Sequence, residues 1–133
     1  MSAPLALLFT HGHADGMAAA TGIAMEAADR HGWEMVTSVD AGGRVPELCI
    51  VLGGDGTVLR ALRAMTGTKV PVFGVNFGRV GFLAAVESAD IEAGLDRALS
   101  GDIESIDLPG LEVTADDATA IGLNDAGFSR RPR

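Results

Sequence analysis

The stretch ELCIVLGGDGTVLRALRA, residues 47–64, constrains the fold of this chain more than any other. An apolar run reaches Leu52. Gly53, Gly54, Asp55, Gly56 and Thr57 follow, and a pattern of helical period then opens at Val58. A short continuous apolar run bounded by glycines reads as a strand buried on both faces, as in a parallel sheet. A glycine loop leading straight from such a strand into a helix is the strand-to-helix half of a βαβ unit.

The rest of the first hundred residues follows the same grammar. PLALLFT, residues 4–10, is a second apolar run and ends in the turn signal His-Gly-His. Residues 14–31 carry Met17, Ala20, Ile23, Ala24, Ala27 and Ala28 at helical spacing, with Gly32 as a stop. WEMVTSV, residues 33–39, alternates like a half-buried strand, and DAGGRVP is a loop. Residues 58–65 form the helix after the glycine loop. KVPVFGV, residues 69–75, is a third buried run. Residues 88–99 are an amphipathic helix with Ile91, Leu95, Ala98 and Leu99 on one side and Ser88 as its cap. Alternating strands and helices predict an α/β fold, an open parallel sheet with helices on both faces. Such sheets bind ligands beyond the carboxyl ends of their strands. The glycine loop lies at one such end and NFGRVG at another.

The grammar changes after Gly101. Residues 104–114 and 119–129 both read as strands, joined by ADDA with no helix between them, which is antiparallel patterning. The expected division is therefore an α/β domain over 1–101 and the opening hairpin of an incomplete β-rich second domain over 102–133. A lone hairpin is marginal in water. Its apolar positions need cover from the first domain or from another copy of the chain, so a homo-oligomer is expected.

Charge limits the partners. The formal net charge is −8, and the only Lys/Arg cluster is RRPR at residues 130–133, so a nucleic-acid-wrapping role is not expected. A phosphate-bearing ligand in such an acidic chain has to be held locally, by backbone N–H groups, a helix start or a metal ion. Cys49 is the single cysteine, so no internal disulfide or cysteine zinc cluster forms. No apolar run approaches the length of a membrane span, and MSAPLALLFTHG has no basic segment ahead of its apolar stretch. A reducing, cytoplasmic setting away from membranes is the expectation.

The loop chemistry is more specific. Gly53, Gly54 and Gly56 permit positive φ and close backbone approach to a ligand. The helix behind them aims its first N–H groups and its positive dipole end at the loop. Thr57 can cap that helix or meet a phosphate oxygen. Asp55 is the odd member, because a carboxylate repels phosphate unless it holds Mg²⁺ or accepts a proton from an attacking hydroxyl. Both uses belong to phosphoryl transfer. The plainer alternative is an Asp55 helix cap beside a tight Gly-Gly turn. The loop lacks the G-K-[ST] of a Walker A motif and the third glycine of G-x-G-x-x-G.

With LGGDGTVLRA, PVFGVNFGRVGFLAAVE and GLND in place, the chain resembles the NAD kinases. GGDGT alone is shared with diacylglycerol kinases, sphingosine kinases and phosphofructokinases. NFGRVGFL, residues 76–83, is much more specific, and its spacing from GGDGT fits. The resemblance covers residues 47–130. It implies transfer of a phosphoryl group from ATP or polyphosphate, with Mg²⁺ or another divalent cation, to the 2′-hydroxyl of the adenosine ribose of NAD. By resemblance, Asp55 accepts the hydroxyl proton, while Gly54, Gly56 and Thr57 surround phosphates and ribose. Phe82 packs beside the adenine end, and Asn124 and Asp125 match an Asn-Glu pair that holds ribose hydroxyls. Asp125 is one methylene shorter than the family's usual Glu. The family also continues into a β-rich domain carrying further NAD-binding residues. Two other readings stay open: a lipid kinase of the diacylglycerol or sphingosine type, and a nucleotide-binding domain without catalysis.

The remaining candidates have plainer readings beside the functional one. Asn76 is a turn former or a residue that fixes the loop or ligand. Arg60 and Arg79 are the cations nearest the motifs, and solvated surface arginines would look the same. His11 and His13 suggest a metal pair, but no third ligand lies near them in sequence. Cys49, inside a buried run, behaves as a small hydrophobe.

Overall fold

The computed structural model describes residues 3–10, 16–37, 44–77, 86–102, 110–115 and 118–123. Five strands form one sheet: β1 (Leu5–Thr10), β2 (Glu34–Val36), β3 (Leu48–Gly53), β4 (Val72–Asn76) and β5 (Val86–Glu87). Their order is β2-β1-β3-β4-β5 and every pairing is parallel. Three α-helices accompany them, α1 (Met17–Arg30), α2 (Asp55–Ala64) and α3 (Ile91–Ser100), with a 3₁₀ turn at Ser88–Asp90 before α3. The expected open parallel sheet is what forms.

Alternation along β3 sorts the core into two layers. Leu48, Ile50 and Leu52 join Phe73 and Val75 of β4 against Ala20, Ala24 and Ala27 of α1 and Leu95 and Leu99 of α3. Cys49 and Val51 point the other way, to Val58, Ala61 and Met65 around α2. The helices thus lie on both faces, α1 and α3 on one and α2 on the other. Ile50, Val51 and Leu52 are completely buried, which explains why β3 reads as a continuous apolar run rather than an alternating one. On α1 the inward positions are mostly alanine, which lets the helix sit close to the sheet.

Polar contacts fix the helix ends on the α1–α3 side. Trp33 Nε1 donates to the Leu99 carbonyl at 2.9 Å, tying the start of β2 to the last turn of α3. Asp96 Oδ1 accepts from Arg30 at 2.8 Å and lies 3.0 Å from His31 Nε2, joining α3 to the end of α1. Gly101, with φ of 84°, ends α3 in the left-handed conformation that favours glycine. Gly32, the stop expected after α1, also lies at positive φ.

Some boundaries differ from the sequence expectation. β2 covers three residues rather than seven, and β5 was not foreseen. The cap of α3 is Asp90 at the end of the 3₁₀ turn, not Ser88. β6 (Gly110–Ala115) and β7 (Ala118–Leu123) pair antiparallel in register from Gly110↔Leu123 to Ala115↔Ala118, as a two-stranded sheet apart from the first. Both strands begin or end inside the expected spans 104–114 and 119–129. No helix among the described residues is long and apolar enough to cross a membrane.

Candidate functional site

The strand order marks where a candidate site lies. The chain moves outward from β1 to β2, then returns across β1 to β3 and continues to β4 and β5. The direction reverses between β1 and β3, and a crevice opens beyond the carboxyl ends of strands at such a reversal. β3 ends there at Gly53, and Gly54, Asp55, Gly56 and Thr57 stand at its mouth.

The loop is shorter than its composition suggests. Gly54 is the N-cap of α2, in an extended conformation with φ of −103°, and Asp55 is the first helical residue. The Gly54 carbonyl accepts from the Thr57 N–H at 3.1 Å and the Val58 N–H at 3.0 Å. Asp55, Gly56 and Thr57 therefore make the first turn of α2, and the helix starts three residues before Val58. This corrects the role given to Thr57 as a cap, since it lies inside the helix, and no side chain caps α2. It also places Asp55 in the first turn, where the dipole favours a negative charge.

The three loop glycines act by size rather than by left-handed backbone. Among the described residues the positive-φ glycines are Gly16, Gly32, Gly67 and Gly101, and none belongs to the loop. A Cβ on Gly53 would lie 2.7 Å from Thr57 Oγ1 and 2.8 Å from Thr57 Cβ, so Gly53 leaves the space that Thr57 fills. A Cβ on Gly54 or Gly56 would meet nothing within 4 Å. At those two positions the backbone faces open space and a ligand can come close to it.

Asn76 completes the near side. It ends β4, is 3% exposed, and pairs in register with Gly53 on one side and with Glu87 of β5 on the other. The Phe77 N–H donates to the Gly53 carbonyl at 3.0 Å, which carries the β3–β4 pairing up to the glycine loop. Asn76 Nδ2 donates to both Glu87 carboxylate oxygens, each at 3.2 Å. Glu87 is the residue that sequence reasoning missed. It sits within the quoted segment ending AAVE, yet no local pattern links residues on neighbouring strands. Thr57 and Asn76 are the buried polar residues of the described core, and both stand at this carboxyl edge.

The other expected residues divide into two groups. Arg60 is exposed on α2, one turn beyond Thr57. Phe82, Arg79, Asn124, Asp125, His11 and His13 lie outside the described residues. Cys49 is buried on the α2 side of β3, and burial pushes its thiol up to about 12, as expected of a structural rather than a reactive cysteine. No group of three or more His, Cys, Asp or Glu residues among those described could hold a metal ion unaided.

A parallel sheet with its winding reversed between β1 and β3, and a glycine-rich strand-to-helix connection at the reversal, defines a doubly wound α/β domain with a candidate site at the switch point. The chain belongs to the ATP-NAD kinase N-terminal domain family, whose model matches residues 24–103. That match begins well upstream of residue 47, where the resemblance in motifs began, and takes in the second half of α1 and all of β2. The chain is 45% identical over 92 residues to an NAD kinase of Symbiobacterium thermophilum, covering 65% of this chain and 32% of that protein. It is 37% identical over 113 residues to an NAD kinase of Natranaerobius thermophilus, covering 80% and 40%. Its fold resembles the crystal structure of an NAD kinase from Archaeoglobus fulgidus in complex with ATP, with a TM-score of 0.59 and 23% identity over 81% of this chain and 40% of that one. The chain thus spans about a third of the length of the curated relatives that it matches.

Proposed function

We propose that the protein of which this chain forms a domain phosphorylates the 2′-hydroxyl of the adenosine ribose of NAD, giving NADP. The observation that carries the reading is the arrangement at the switch point. Gly54 and Gly56 leave open space beside the backbone, and Asp55 stands between them at the start of α2. The family membership and the names of the relatives support the same activity.

In this reading the backbone at Gly54 and Gly56 lies against phosphate oxygens, helped by the N-terminal dipole of α2. Asp55 accepts the proton of the 2′-hydroxyl as the new phosphorus–oxygen bond forms and the bond to the leaving phosphate breaks. The transition state of phosphoryl transfer is loose, so the larger share of rate comes from positioning and charge neutralisation. Mg²⁺ binds through one or two carboxylates together with substrate phosphates, and a single carboxylate at the phosphate loop suits that mode better than a full protein cage. Asp55 is the described residue placed to share in holding it, and the ion would neutralise phosphate charge there. ATP is the donor in this reading, supported by the Archaeoglobus fulgidus complex, with polyphosphate as the other candidate.

The second domain would begin near residue 102 and supply Asn124 and Asp125 to the ribose, with Phe82 beside the adenine. The 133 residues alone are expected to turn over little NAD, because about two thirds of the relatives' length is not represented. The setting in this reading is cytoplasmic, with no nucleic-acid or membrane partner, and the working form is a homo-oligomer. The test is NADP formation by the full-length protein with ATP or polyphosphate, beside assays with diacylglycerol and a sphingoid base. Phosphorylation of a lipid but not of NAD would overturn the reading in favour of a lipid kinase. Nucleotide binding without turnover would leave a binding domain.

A further inference from the structure

We infer that Glu87 is a positioning residue for the phosphate loop, acting through the buried amide of Asn76; this rests on the kinase reading above. The argument begins with which face each side chain takes. Phe73 and Val75 of β4 pack in the α1–α3 layer, while Val72 packs against the α2 layer. Side chains alternate along a strand, so Asn76 projects to the α2 face. Gly53, paired with Asn76, directs its missing β-carbon to the same face, where Thr57 fills the space. Glu87 pairs with Asn76 from the other side. One row of residues thus runs along the carboxyl edge of the sheet beneath the start of α2, from Gly53 through Asn76 to Glu87.

Asn76 is the member of that row that needs orienting. Its amide is buried, and an amide can present either its oxygen or its nitrogen to the loop side. A carboxylate only accepts hydrogen bonds when ionised, so Glu87 selects the nitrogen for itself. Both carboxylate oxygens lie 3.2 Å from Nδ2. The Asn76 oxygen is therefore turned away from β5, back toward the β3 side where Gly53 leads into the glycine loop. Glu87 is itself exposed, so it is not kept by burial, and β5 is only two residues long. The bond gives this short strand a function: it carries a carboxylate within hydrogen-bond reach of the Asn76 amide.

The test compares Glu87→Ala and Glu87→Gln with the wild type in the full-length enzyme, measuring kcat, KM for NAD and melting temperature. Glu87→Ala is expected to lower kcat by about 10- to 100-fold, the scale of a displaced positioning group. KM and melting temperature should change little. Glu87→Gln retains a side-chain oxygen that accepts from Nδ2, and it should recover most of the loss. A Glu87→Ala enzyme with wild-type kcat, or a loss that follows melting temperature alone, would overturn the inference. A wild-type enzyme that does not phosphorylate NAD would overturn the kinase reading and this role with it. Those two failures are told apart by the side-chain amide resonances of Asn76, which should shift and exchange faster in Glu87→Ala whatever the activity; unchanged resonances would remove the orienting bond itself.

Discussion

Gly53 and Thr57 share one packing space, in which a β-carbon on Gly53 would fall 2.7 Å from Thr57 Oγ1 and 2.8 Å from Thr57 Cβ. The glycine that ends β3 therefore sets how closely the first turn of α2 sits on the sheet. Thr57 is buried and β-branched, so it has little rotamer freedom with which to yield. Gly53→Ala should destabilise the domain by about 1–3 kcal/mol, the usual range for overpacking a filled space. Chemical denaturation with constant m-value is the measurement. Thr57→Ala should rescue this only in part, because its Cβ remains at the same close position. Full rescue by Thr57→Ala would show that the hydroxyl and methyl alone make the conflict.

The neighbouring glycines should behave in the opposite way. Gly56 is an exposed residue in the first turn of α2, and a β-carbon there meets nothing within 4 Å. Alanine is the better helix former by about 0.8–1.0 kcal/mol in a helix interior, so Gly56→Ala should leave stability unchanged or raise it. The same β-carbon enters the space assigned to the phosphates. Nucleotide affinity of the full-length protein should then fall by about tenfold or more, which calorimetry with ATP would measure. Unchanged affinity in a stable Gly56→Ala protein would remove the phosphate from that side of the loop.

The contrast among these glycines marks how far the sequence could be read. The buried strands β1, β3 and β4 were legible because a strand covered on both faces is apolar throughout. The five residues GGDGT stood out as a candidate site for a different reason, since nothing in a plain turn asks for a carboxylate there. The start of α2 was not, because its apolar face begins at Val58 and the first turn consists of Asp, Gly and Thr, which favour loops by propensity. Only the hydrogen bonds to the Gly54 carbonyl reveal that turn. β2 was overestimated because alternation continues through Thr37, Ser38 and Val39, whereas its pairing with β1 stops at Val36. β5 has two residues and so no period at all, and Glu87 was missed with it.

A surface pair gives an acid-limb prediction. Hydrogen bonds from Arg30 and His31 hold the Asp96 carboxyl below the ordinary carboxylate range. A depressed folded value means that the contribution is present above the unfolded aspartate value of about 3.9 and lost as pH falls through the folded one. Asp96→Asn should therefore show a shallower fall in melting temperature between about pH 5 and pH 2.5 than the wild type. All three side chains are at least partly exposed, so the difference should be small and should shrink in high salt. A wild-type acid limb parallel to that of the variant would mean that the pair contributes nothing.

Cys49 gives the corresponding alkaline prediction. Burial raises its thiol to about 12, and the unfolded chain ionises near the ordinary value of about 8.5. The raised folded value gives stability that is complete below about pH 8.5 and declines as pH rises toward 12. Cys49→Ala should start less stable, because it leaves a cavity in β3, and should lose less on going from neutral to alkaline pH. The native thiol should also resist alkylation at neutral pH and react freely in denaturant. Rapid alkylation of the native protein would show that the α2 layer opens over β3.

The last prediction concerns Asp55, the carboxylate between Gly54 and Gly56. Its place in the first turn of α2 suits a favourable charge at the helix dipole, and the kinase reading adds the functional roles of accepting the 2′-hydroxyl proton and sharing in holding Mg²⁺. Asp55→Asn keeps the shape and gives up both the charge and the basicity, so stability and turnover report the structural and the functional roles separately. Loss of the dipole interaction alone should cost about 0.3–1 kcal/mol of stability and leave turnover near normal. Loss of the base should lower kcat of the full-length enzyme by about 10² or more, with NAD affinity much less affected. Steady-state kinetics with a parallel melting curve decides between them. Near-normal kcat with a lowered melting temperature would leave Asp55 as a charge at the helix start, and the proton would then pass to another group or to water.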